Sequence, residues 1–336
     1  MKKLLRMLVI AGVLAVLGGA HYFVRMDRYA GFEVPVFVDI PRGTPTLRIG
    51  EMLAEAGVLR HPLLFPLARL TKPGAKPQAG EYRFARAATP ADVFARIAKG
   101  DVYLVELRVP EGSDVFDIAA LVERAGLGAA PEFARAALQY EGYLFPSTYR
   151  FRRNTPVEAI CHTMRAQFDK VWEELGGGAS RQASVVTLAS LVETEAALEE
   201  ERARIAGVYR NRLEKGMRLE CDPTVEYASK LEGRWRGMIH KSDLERASPY
   251  NTYRHEGLPP GPVANPGEAS LKAALRPEAT DALYFVARPD QSKGHVFSRD
   301  YAAHQKAVEA YRRGQKHGRK EGASYSVVAQ PGRRTG

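Results

Sequence analysis

One apolar helical segment carries the side chains best suited to chemistry, two glutamates placed two residues apart. Glu193 and Glu195 lie near the end of the run 183–196. At about 100° per residue, Glu193 falls beside Ala189, whereas Glu195 falls on the opposite flank. Residues two apart on a helix do not face each other, so they cannot form the close dyad of a retaining glycosidase, whose carboxyl groups lie about 5 Å apart. The spacing predicts that any catalysis here uses one glutamate.

Glu193 borders the apolar side of this predicted helix. The predicted buried stripe has helical spacing and consists of Val185, Leu188, Ala189, Val192 and Ala196. Desolvation at such a border favours the protonated carboxyl group, which can then act as a general acid at neutral pH. A helix-edge glutamate in a salt bridge is the alternative, and the spacing leaves both open. The nearby run 199–201, with Arg202 and Arg204, predicts a solvated charged face.

Polar segments after this helix supply candidate substrate-binding residues. The loops 248–253 and 257–267 are rich in proline, which excludes a helix or a central strand, and long loops inside a domain are often functional. Their tyrosine, asparagine and threonine side chains offer flat faces and hydrogen-bonding edges that suit a sugar. A rigid surface loop, or helix capping by Asp222, is the alternative. The candidates are Asp222, Thr224, Tyr250, Asn251, Thr252, Tyr253 and Asn265.

Cofactor and metal motifs are missing from the sequence. It contains no P-loop, no dinucleotide-binding glycine motif and no Gly-x-Ser-x-Gly elbow. His295 and His304 lack metal-ligand spacing and are interpreted as structural or surface residues. With only two cysteines, Cys161 and Cys221, a disulfide framework and a four-cysteine zinc module are excluded. We therefore predict neither cofactor nor metal.

The positive charge of the chain is confined to its ends. The 336 residues carry a formal net charge of +10, of which residues 1–28 contribute +4 and residues 312–336 contribute +6. The remainder, 29–311, is neutral. A nucleic-acid-binding protein carries its basic residues on the folded module, so this distribution argues against a nucleic-acid partner.

The basic start precedes an apolar run, 7–24, that is long enough to cross a thin hydrocarbon core. Lys2, Lys3 and Arg6 favour a cytoplasmic amino terminus, with everything after Arg28 outside. A cleaved signal peptide is the alternative. Because the apolar run continues past the small residues that would mark a cleavage site, we interpret it as a retained anchor.

A repeat follows the anchor. The segment 41–44 (Pro-Arg-Gly-Thr) and the segment 110–113 (Pro-Glu-Gly-Ser) begin two copies offset by 69 residues. Each copy predicts an extended lead-in, a Pro-x-Gly turn and a short helix ending at a glycine, Gly57 or Gly126. Two copies indicate a paired α+β module and not a solenoid. Binding and simple spacing are both open as its role.

These patterns predict an α+β protein in four parts. They are an anchor (1–28), a duplicated βα module (29–152), a mixed α+β catalytic domain (153–312) and a basic, disordered tail (313–336). The catalytic domain contains the proline-rich loop, and two short apolar segments near 283–286 and 295–298 predict a hairpin close to its end.

Many of these motifs occur together in one known family. The chain resembles the endolytic murein transglycosylases of the MltG, or YceG-like, type over about residues 1–312. The matching segments are the anchor, the Pro-x-Gly repeats, 141–146, 188–193, 211–213, 222–225, 250–253, 257–261, 265–267 and 270–271. The sequence departs from the usual pattern at Cys221, where the family has a polar residue, and at Thr194, where a basic residue is common.

The resemblance implies a fold, a location and a reaction. It implies an inner-membrane anchor, a LysM-like module and a periplasmic domain whose catalytic glutamate corresponds to Glu193. The reaction implied is non-hydrolytic cleavage of MurNAc–GlcNAc β-1,4 bonds in nascent glycan strands, which leaves 1,6-anhydro-MurNAc ends and terminates elongation. Peptidoglycan glycan strands, the inner membrane and peptidoglycan synthases are the partners expected. A peptidoglycan hydrolase (muramidase) and a non-catalytic wall-binding scaffold are the alternatives.

Overall fold

The computed structural model describes residues 2–290 and 292–318. The chain forms two compact units, of which the first ends at Val105 and the second begins at Glu106. Each unit has a core of its own. The first is built around Leu53, Phe65 and Phe94, and the second around Leu191 and Tyr209. The structure is of mixed α and β type, as predicted, with small two-stranded sheets.

The amino-terminal helix α1 (Lys2–Arg25) confirms the predicted apolar segment as a helix. It has 24 residues and, by length and composition, could cross a membrane. At about 1.5 Å per residue, its length matches a hydrocarbon core of about 30 Å. Its apolar side chains are almost all exposed. A signal sequence near an amino terminus has the same features, so the choice between anchor and signal peptide stays an expectation.

The first unit contains the first copy of the repeat. Its elements are β1 (Val36–Ile40), α2 (Thr46–Glu55), α3 (Leu64–Arg69), β2 (Gly80–Phe84) and α4 (Pro90–Lys99). β1 pairs antiparallel with β2, with Val36 opposite Phe84. The segment after α2 turns at Gly57 in a left-handed conformation with φ of 70°, which a glycine adopts without strain. The predicted lead-in, turn and helix are confirmed in this copy.

The second copy opens the second unit with the same order of elements. They are β3 (Val105–Arg108), α5 (Val115–Arg124), α6 (Ala130–Ala137) and β4 (Thr148–Phe151). β3 pairs with β4. Asp114 caps α5, because its carboxylate accepts the backbone N–H groups of Phe116 and Asp117, each at 2.9 Å. Gly126 repeats the φ of 70° found at Gly57. Both copies are therefore βααβ units.

The rest of the second unit is mainly helical. Its elements are α7 (Val157–Glu174), α8 (Gln182–Glu195), α9 (Arg202–Glu214), α10 (Asp222–Leu231), α11 (Lys241–Leu244), α12 (Glu268–Leu275), β5 (Tyr284–Ala287), β6 (His295–Ser298) and α13 (Tyr301–Gly318). β5 and β6 form an antiparallel hairpin with Tyr284 opposite Ser298, which confirms the predicted hairpin. α13 continues six residues beyond the predicted boundary at 312, and the remainder of the predicted tail lies outside the described residues.

Helix α8 lies at the centre of the second unit. It packs against α9, α10 and α12, and Thr187, Ser190 and Glu195 are buried together with its apolar residues. The prediction of a single buried stripe was therefore wrong. Burial of polar residues is tolerated because the Thr187 and Ser190 hydroxyl groups each donate to a backbone carbonyl of the same helix at 2.8 Å.

Candidate active site

Glu193 lies in the last turn of α8, and its side chain is held from two directions. One carboxylate oxygen, Oε1, pairs with Nη2 of Arg202 at 3.2 Å. The other oxygen, Oε2, accepts the backbone N–H of Gly267 at 2.9 Å. The side chain is only 5% exposed. Glu193 is therefore held in one orientation by a cation and a backbone donor.

Arg202 comes from the first turn of α9 and corrects the prediction of a solvated face. Glu199, Glu200 and Arg204 are exposed as predicted, but the Arg202 side chain is 13% exposed. Its Nε also donates to the Ser270 hydroxyl at 3.0 Å. The salt-bridge alternative raised for Glu193 is thus realised, within a site that can still be catalytic.

Glu201 is also buried, contrary to the predicted solvated face. Its carboxylate accepts the backbone N–H of His295 at 2.9 Å and contacts the His295 ring nitrogen Nδ1 at 2.7 Å. His304 is buried as well. The structural interpretation of both histidines is confirmed. Within residues 2–290 and 292–318, no group of three or more His, Cys, Asp or Glu side chains is placed to hold a metal ion.

The loop that brings Gly267 to Glu193 is held by Asn265. This side chain is fully buried. Its amide nitrogen donates to the Ser113 carbonyl and to the Glu141 carboxylate, each at 2.9 Å, and its amide oxygen accepts the Leu144 N–H at 2.8 Å. Gly267 then starts α12, where backbone N–H groups have no partner within the helix. Asn265 thus joins three segments and holds the loop so that the backbone N–H of Gly267 can donate to Glu193.

Glu111 is a residue of the site that the sequence reasoning did not identify. It lies in the Pro-x-Gly turn of the second copy, and a Cβ atom on Gly267 would overlap its carboxyl group. Partial burial raises the pKa of Glu111, and the negative charge of Glu193 raises it further, whereas Arg202 lowers it. The sequence did contain one sign of this residue. The aligned turns of the repeat carry opposite charges, Arg42 in the first copy and Glu111 in the second.

Three of the predicted substrate-binding residues are buried and bonded to the protein. The hydroxyl groups of Thr224 and Thr252 lie 2.9 Å apart, and the Thr252 hydroxyl also accepts the Cys221 N–H at 3.0 Å. The Asn251 amide donates to the carbonyls of Leu244 and Arg246 at 3.0 and 2.8 Å. With Asn265, these side chains form the frame of the loops.

Asp222, Tyr250 and Tyr253 are more accessible. The Tyr253 hydroxyl donates to the Asp222 carboxylate at 2.6 Å. Burial raises the pKa of Asp222, and this hydrogen bond opposes the shift. Asp222 does not cap α10: Cys221 occupies the cap position, and no side-chain capping bond is made. The Tyr250 ring packs 5.1 Å from that of Tyr227.

A cavity of about 330 Å³ begins beside Glu193. Its lining includes Gly112, Thr194, Asp114, Asp222 and Lys230. Thr194 directly follows Glu193 in the chain, and a Cβ atom on Gly112 would lie 3.6 Å from Cγ of Glu193, so the cavity lies close to the candidate acid. Its walls are acidic, with one cation among several carboxylates.

A second cavity, of about 530 Å³, shares part of this lining. Asp117, Glu226 and Lys230 line both cavities, and Phe116 and Trp235 line the second alone. Burial lowers the pKa of Lys230, but the carboxylates of Asp114, Asp117 and Glu226 together outweigh that effect and raise it, and the Lys230 Nζ donates to Asp114 at 2.7 Å. We call the two cavities together the groove. It offers one cation, several carboxylates and three aromatic side chains, Phe116, Tyr227 and Trp235.

A model of the YceG-like family matches residues 38–310, which is most of the chain. The chain belongs to the YceG-like family.

Proteins similar to this chain occur in Bacillus, Streptococcus and Listeria. A Bacillus subtilis protein named endolytic murein transglycosylase is 32% identical over 313 residues, covering 83% of this chain and 85% of that protein. Two Streptococcus pneumoniae proteins of the same name are each 29% identical over 307 residues, and the chain covers 55% of their length. The crystal structure of a YceG-like protein from Listeria monocytogenes has a TM-score of 0.51 and 29% identity, covering 81% of this chain and 98% of that one.

Two other carboxyl groups of this YceG-like chain are buried away from Glu193. Desolvation raises the pKa of Glu195 to about 8, and the nearby charge of Asp222 adds to the shift. Glu195 contacts the Cys221 thiol at 3.4 Å. Desolvation also raises the pKa of Glu141 to about 8, although three N–H groups donate to its carboxylate. Both cysteines are free and buried.

Proposed function

We propose that this chain is an endolytic murein transglycosylase, which cleaves peptidoglycan glycan strands with Glu193 as its acid and base. The observation that carries the proposal is the Glu193 carboxyl group at the end of α8, which Arg202 and Gly267 hold in one orientation close to the groove. The Bacillus relative named endolytic murein transglycosylase, which aligns with most of the chain, supports the same reaction. Asp222 and Tyr253 pair with each other, and Glu195 faces Cys221, so Glu193 is the carboxyl group best placed.

The reaction needs one carboxyl group in two protonation states. Protonated Glu193 donates its proton to the glycosidic oxygen as the MurNAc–GlcNAc bond breaks, and the substrate's own acetamido group meets the positive charge that develops at C1. Glycosidases assisted by the substrate need no second carboxylate as nucleophile. Glu193, now a carboxylate, takes the proton of the C6 hydroxyl, whose oxygen attacks C1 and closes the 1,6-anhydro ring. The same residue thereby acts as acid and then as base.

The groove is the proposed binding site for the glycan strand. Phe116 and Trp235 offer flat faces for sugar rings, and Asp222 and Lys230 offer polar groups for sugar hydroxyls. Tyr250 and Tyr253 lie on the loop beside Asp222 and extend this surface. The other predicted substrate-binding residues, Thr224, Asn251, Thr252 and Asn265, are proposed to act by holding the loops in place.

Helix α1 is the proposed membrane anchor. Lys2, Lys3 and Arg6 place its start in the cytoplasm under the positive-inside rule, and the chain after Arg28 then lies on the periplasmic side of the inner membrane. The two βααβ units are proposed to be LysM-like modules that hold or position glycan. An anchored enzyme of this kind would meet strands as peptidoglycan synthases release them, and its cuts would terminate strand elongation.

The test is cleavage of purified, peptide-free glycan strands by the detergent-solubilised full chain. We expect the wild type to release fragments with 1,6-anhydro-MurNAc ends, and Glu193→Gln to fold normally but release none. Glu200→Gln, which removes an exposed carboxyl group from the next turn, is the matched control and should be fully active.

Mass spectrometry of the products separates the alternatives. A hydrolase would leave reducing ends, which are heavier than anhydro ends by one water molecule. A wall-binding scaffold would retain glycan without cutting it and would be indifferent to Glu193→Gln. Anhydro products from a well-folded Glu193→Gln variant would contradict the assignment of Glu193.

A further inference from the structure

Glu111 is carried to Glu193 by the second Pro-x-Gly turn. Gly112 gives this turn a left-handed residue with φ of 76°. Its backbone N–H donates to the Asn265 carbonyl at 3.0 Å, and the Asn265 N–H donates to the Ser113 carbonyl at 3.0 Å. The turn carrying Glu111 is therefore joined, by backbone hydrogen bonds in both directions, to the loop that supplies Gly267.

Glu111 and Glu193 contact the same residue, Gly267. Glu193 accepts its backbone N–H at 2.9 Å, and the Glu111 carboxyl group occupies the space that a side chain at 267 would need. The φ of Gly267 is −76°, a value that any residue adopts. The requirement for glycine at 267 therefore comes from the Glu111 carboxyl group and not from the backbone.

The charges around this glycine do not balance. Glu193 faces Glu111 from α8, Arg202 faces it from α9, and Glu199 lies in the turn between these helices. Burial and the charges of Glu193 and Glu199 raise the pKa of Glu111, against the opposing effect of Arg202. Glu111 is exposed in the free protein, and a glycan that displaces water from the groove would strengthen these interactions. Three carboxyl groups thus face one guanidinium, so the cluster has an excess of negative charge and favours the binding of a proton.

We infer that Glu111 is a positioning residue for the reaction of Glu193: the two carboxyl groups hold one proton jointly against Arg202, and Glu193 delivers that proton to the glycan. The inference rests on the proposed function and extends it from one carboxyl group to two. Interacting acids titrate in steps that belong to the pair. The pair as a whole, and not one carboxyl group alone, therefore determines the pH at which the proton is lost.

The proton balance of the reaction is unchanged by this second group. Glu193 loses its proton to the glycosidic oxygen and recovers one from the C6 hydroxyl, so the pair holds one proton before and after each cut. Glu111 forms no bond to the substrate. Without the charge of Glu111, Arg202 would face one fewer carboxylate, and the pair would have less negative charge with which to retain the proton that the leaving group needs.

The pH dependence of glycan cleavage tests this role. We expect Glu111→Gln to lower kcat at neutral pH about tenfold and to move the alkaline limb of the rate profile about one unit lower. Activity should therefore recover in part when the pH is lowered. Glu111→Asp, which keeps the charge, should restore most of the profile. Glu268→Gln, which removes an exposed carboxyl group next to Gly267, is the matched control and should leave the profile unchanged.

A structural role for Glu111 predicts a different result. A rate lowered by the same factor at every pH, or unaffected by Glu111→Gln, would overturn the inference while leaving Glu193 in place. Failure of the proposed function is distinguishable, because the wild type would then yield no anhydro product and the Glu193→Gln variant would behave like it.

Gly267 allows an independent check by a double-mutant cycle. Gly267→Ala should displace the Glu111 carboxyl group and lower kcat about tenfold with little change in KM. In a Glu111→Ala background the added methyl group has room, so the same substitution should cost little further activity. Strictly additive losses would show that the two residues do not act together and would overturn the inference.

Discussion

The two Pro-x-Gly turns of the repeat have the same local structure. In residues 41–44 and 110–113 alike, the hydroxyl of the fourth residue donates to the carbonyl of the first at 2.8 Å. The glycine is left-handed in both, with φ of 82° and 76°. Local sequence therefore determines the turn, and it does so twice in one chain.

Their surroundings differ completely. Arg42 is exposed, and a Cβ atom on Gly43 would meet nothing within 4 Å. In the second copy, Glu111 lies against the loop at the active site, and a Cβ atom on Gly112 would contact Glu193 at 3.6 Å. The repeated turn therefore supplies the same backbone structure in both copies. The residue between its proline and glycine differs, and only in the second copy does that residue, Glu111, lie in the candidate active site.

Exchanging the charges of the two turns should produce the largest difference. Glu111→Arg adds a second cation beside Arg202, which stabilises the unreactive carboxylate of Glu193, so we expect glycan cleavage to fall at least about 100-fold. Arg42→Glu, the reciprocal change in the first copy, should leave the rate within a factor of two or so. Release of anhydro ends measures both. Equal losses would mean that the two turns are not functionally distinct.

Removing the Asn265 side chain should destabilise the second turn and the segments bonded to it. The matching change in the first turn removes only one hydrogen bond. Asn265→Ala leaves the buried Leu144 N–H without a partner and removes one donor each from the Ser113 carbonyl and the Glu141 carboxylate, so we expect a loss of about 3 kcal/mol of unfolding free energy. Thr44→Ala removes one hydrogen bond from the first turn and should cost about 1 kcal/mol. Urea unfolding monitored by circular dichroism compares them, and similar losses would show that Asn265 does not hold the turn.

The smallest expected effect concerns the buried carboxyl group of Glu195. Its pKa of about 8 in the folded chain exceeds the value of about 4.3 for an unfolded glutamate. Between these values the folded state binds the extra proton, so stability falls as pH rises through this window. In the Glu195→Gln variant, the decrease in unfolding free energy between pH 7 and 8 should be smaller than in the wild type by about 1 kcal/mol.

Tryptophan fluorescence isolates this effect. Both tryptophans of the chain, Trp172 and Trp235, lie in the second unit, so their emission follows its unfolding and not that of the first unit. Glu200→Gln, at an exposed position, should leave the pH dependence as in the wild type. An unchanged pH dependence in Glu195→Gln would show that Glu195 is ionised in the folded chain.

Features set by neighbouring residues could be predicted from the sequence. The glycines at 57 and 126, the helix carrying Glu193 and the hairpin near the end of the second unit each depend on a short local pattern, and all are present. The separation of Glu193 from Glu195 also followed from helical geometry, and the two carboxyl groups have different partners.

Features set by tertiary packing could not. Arg202 belongs to a charged run that is typical of a solvated surface, and only the turn before α9 brings it back to Glu193. The burial of α8 on all sides could not be predicted, because Thr187 and Ser190 count as polar in the sequence. Their hydroxyl groups donate to carbonyls of the same helix and can therefore be buried. Glu111 is separated from Glu193 by more than 80 residues, and a loop ending at Gly267 joins them. The residue pattern within a single segment cannot predict a contact between residues so far apart in the chain.

The measurement that tests the account most directly is the product of cleavage by the wild type and by Glu193→Gln on the same purified glycan strands. Anhydro ends from the wild type, and none from a Glu193→Gln variant with unchanged circular dichroism and tryptophan emission, are the results predicted. Anhydro ends from that folded variant, or reducing ends from the wild type, would contradict the central claim.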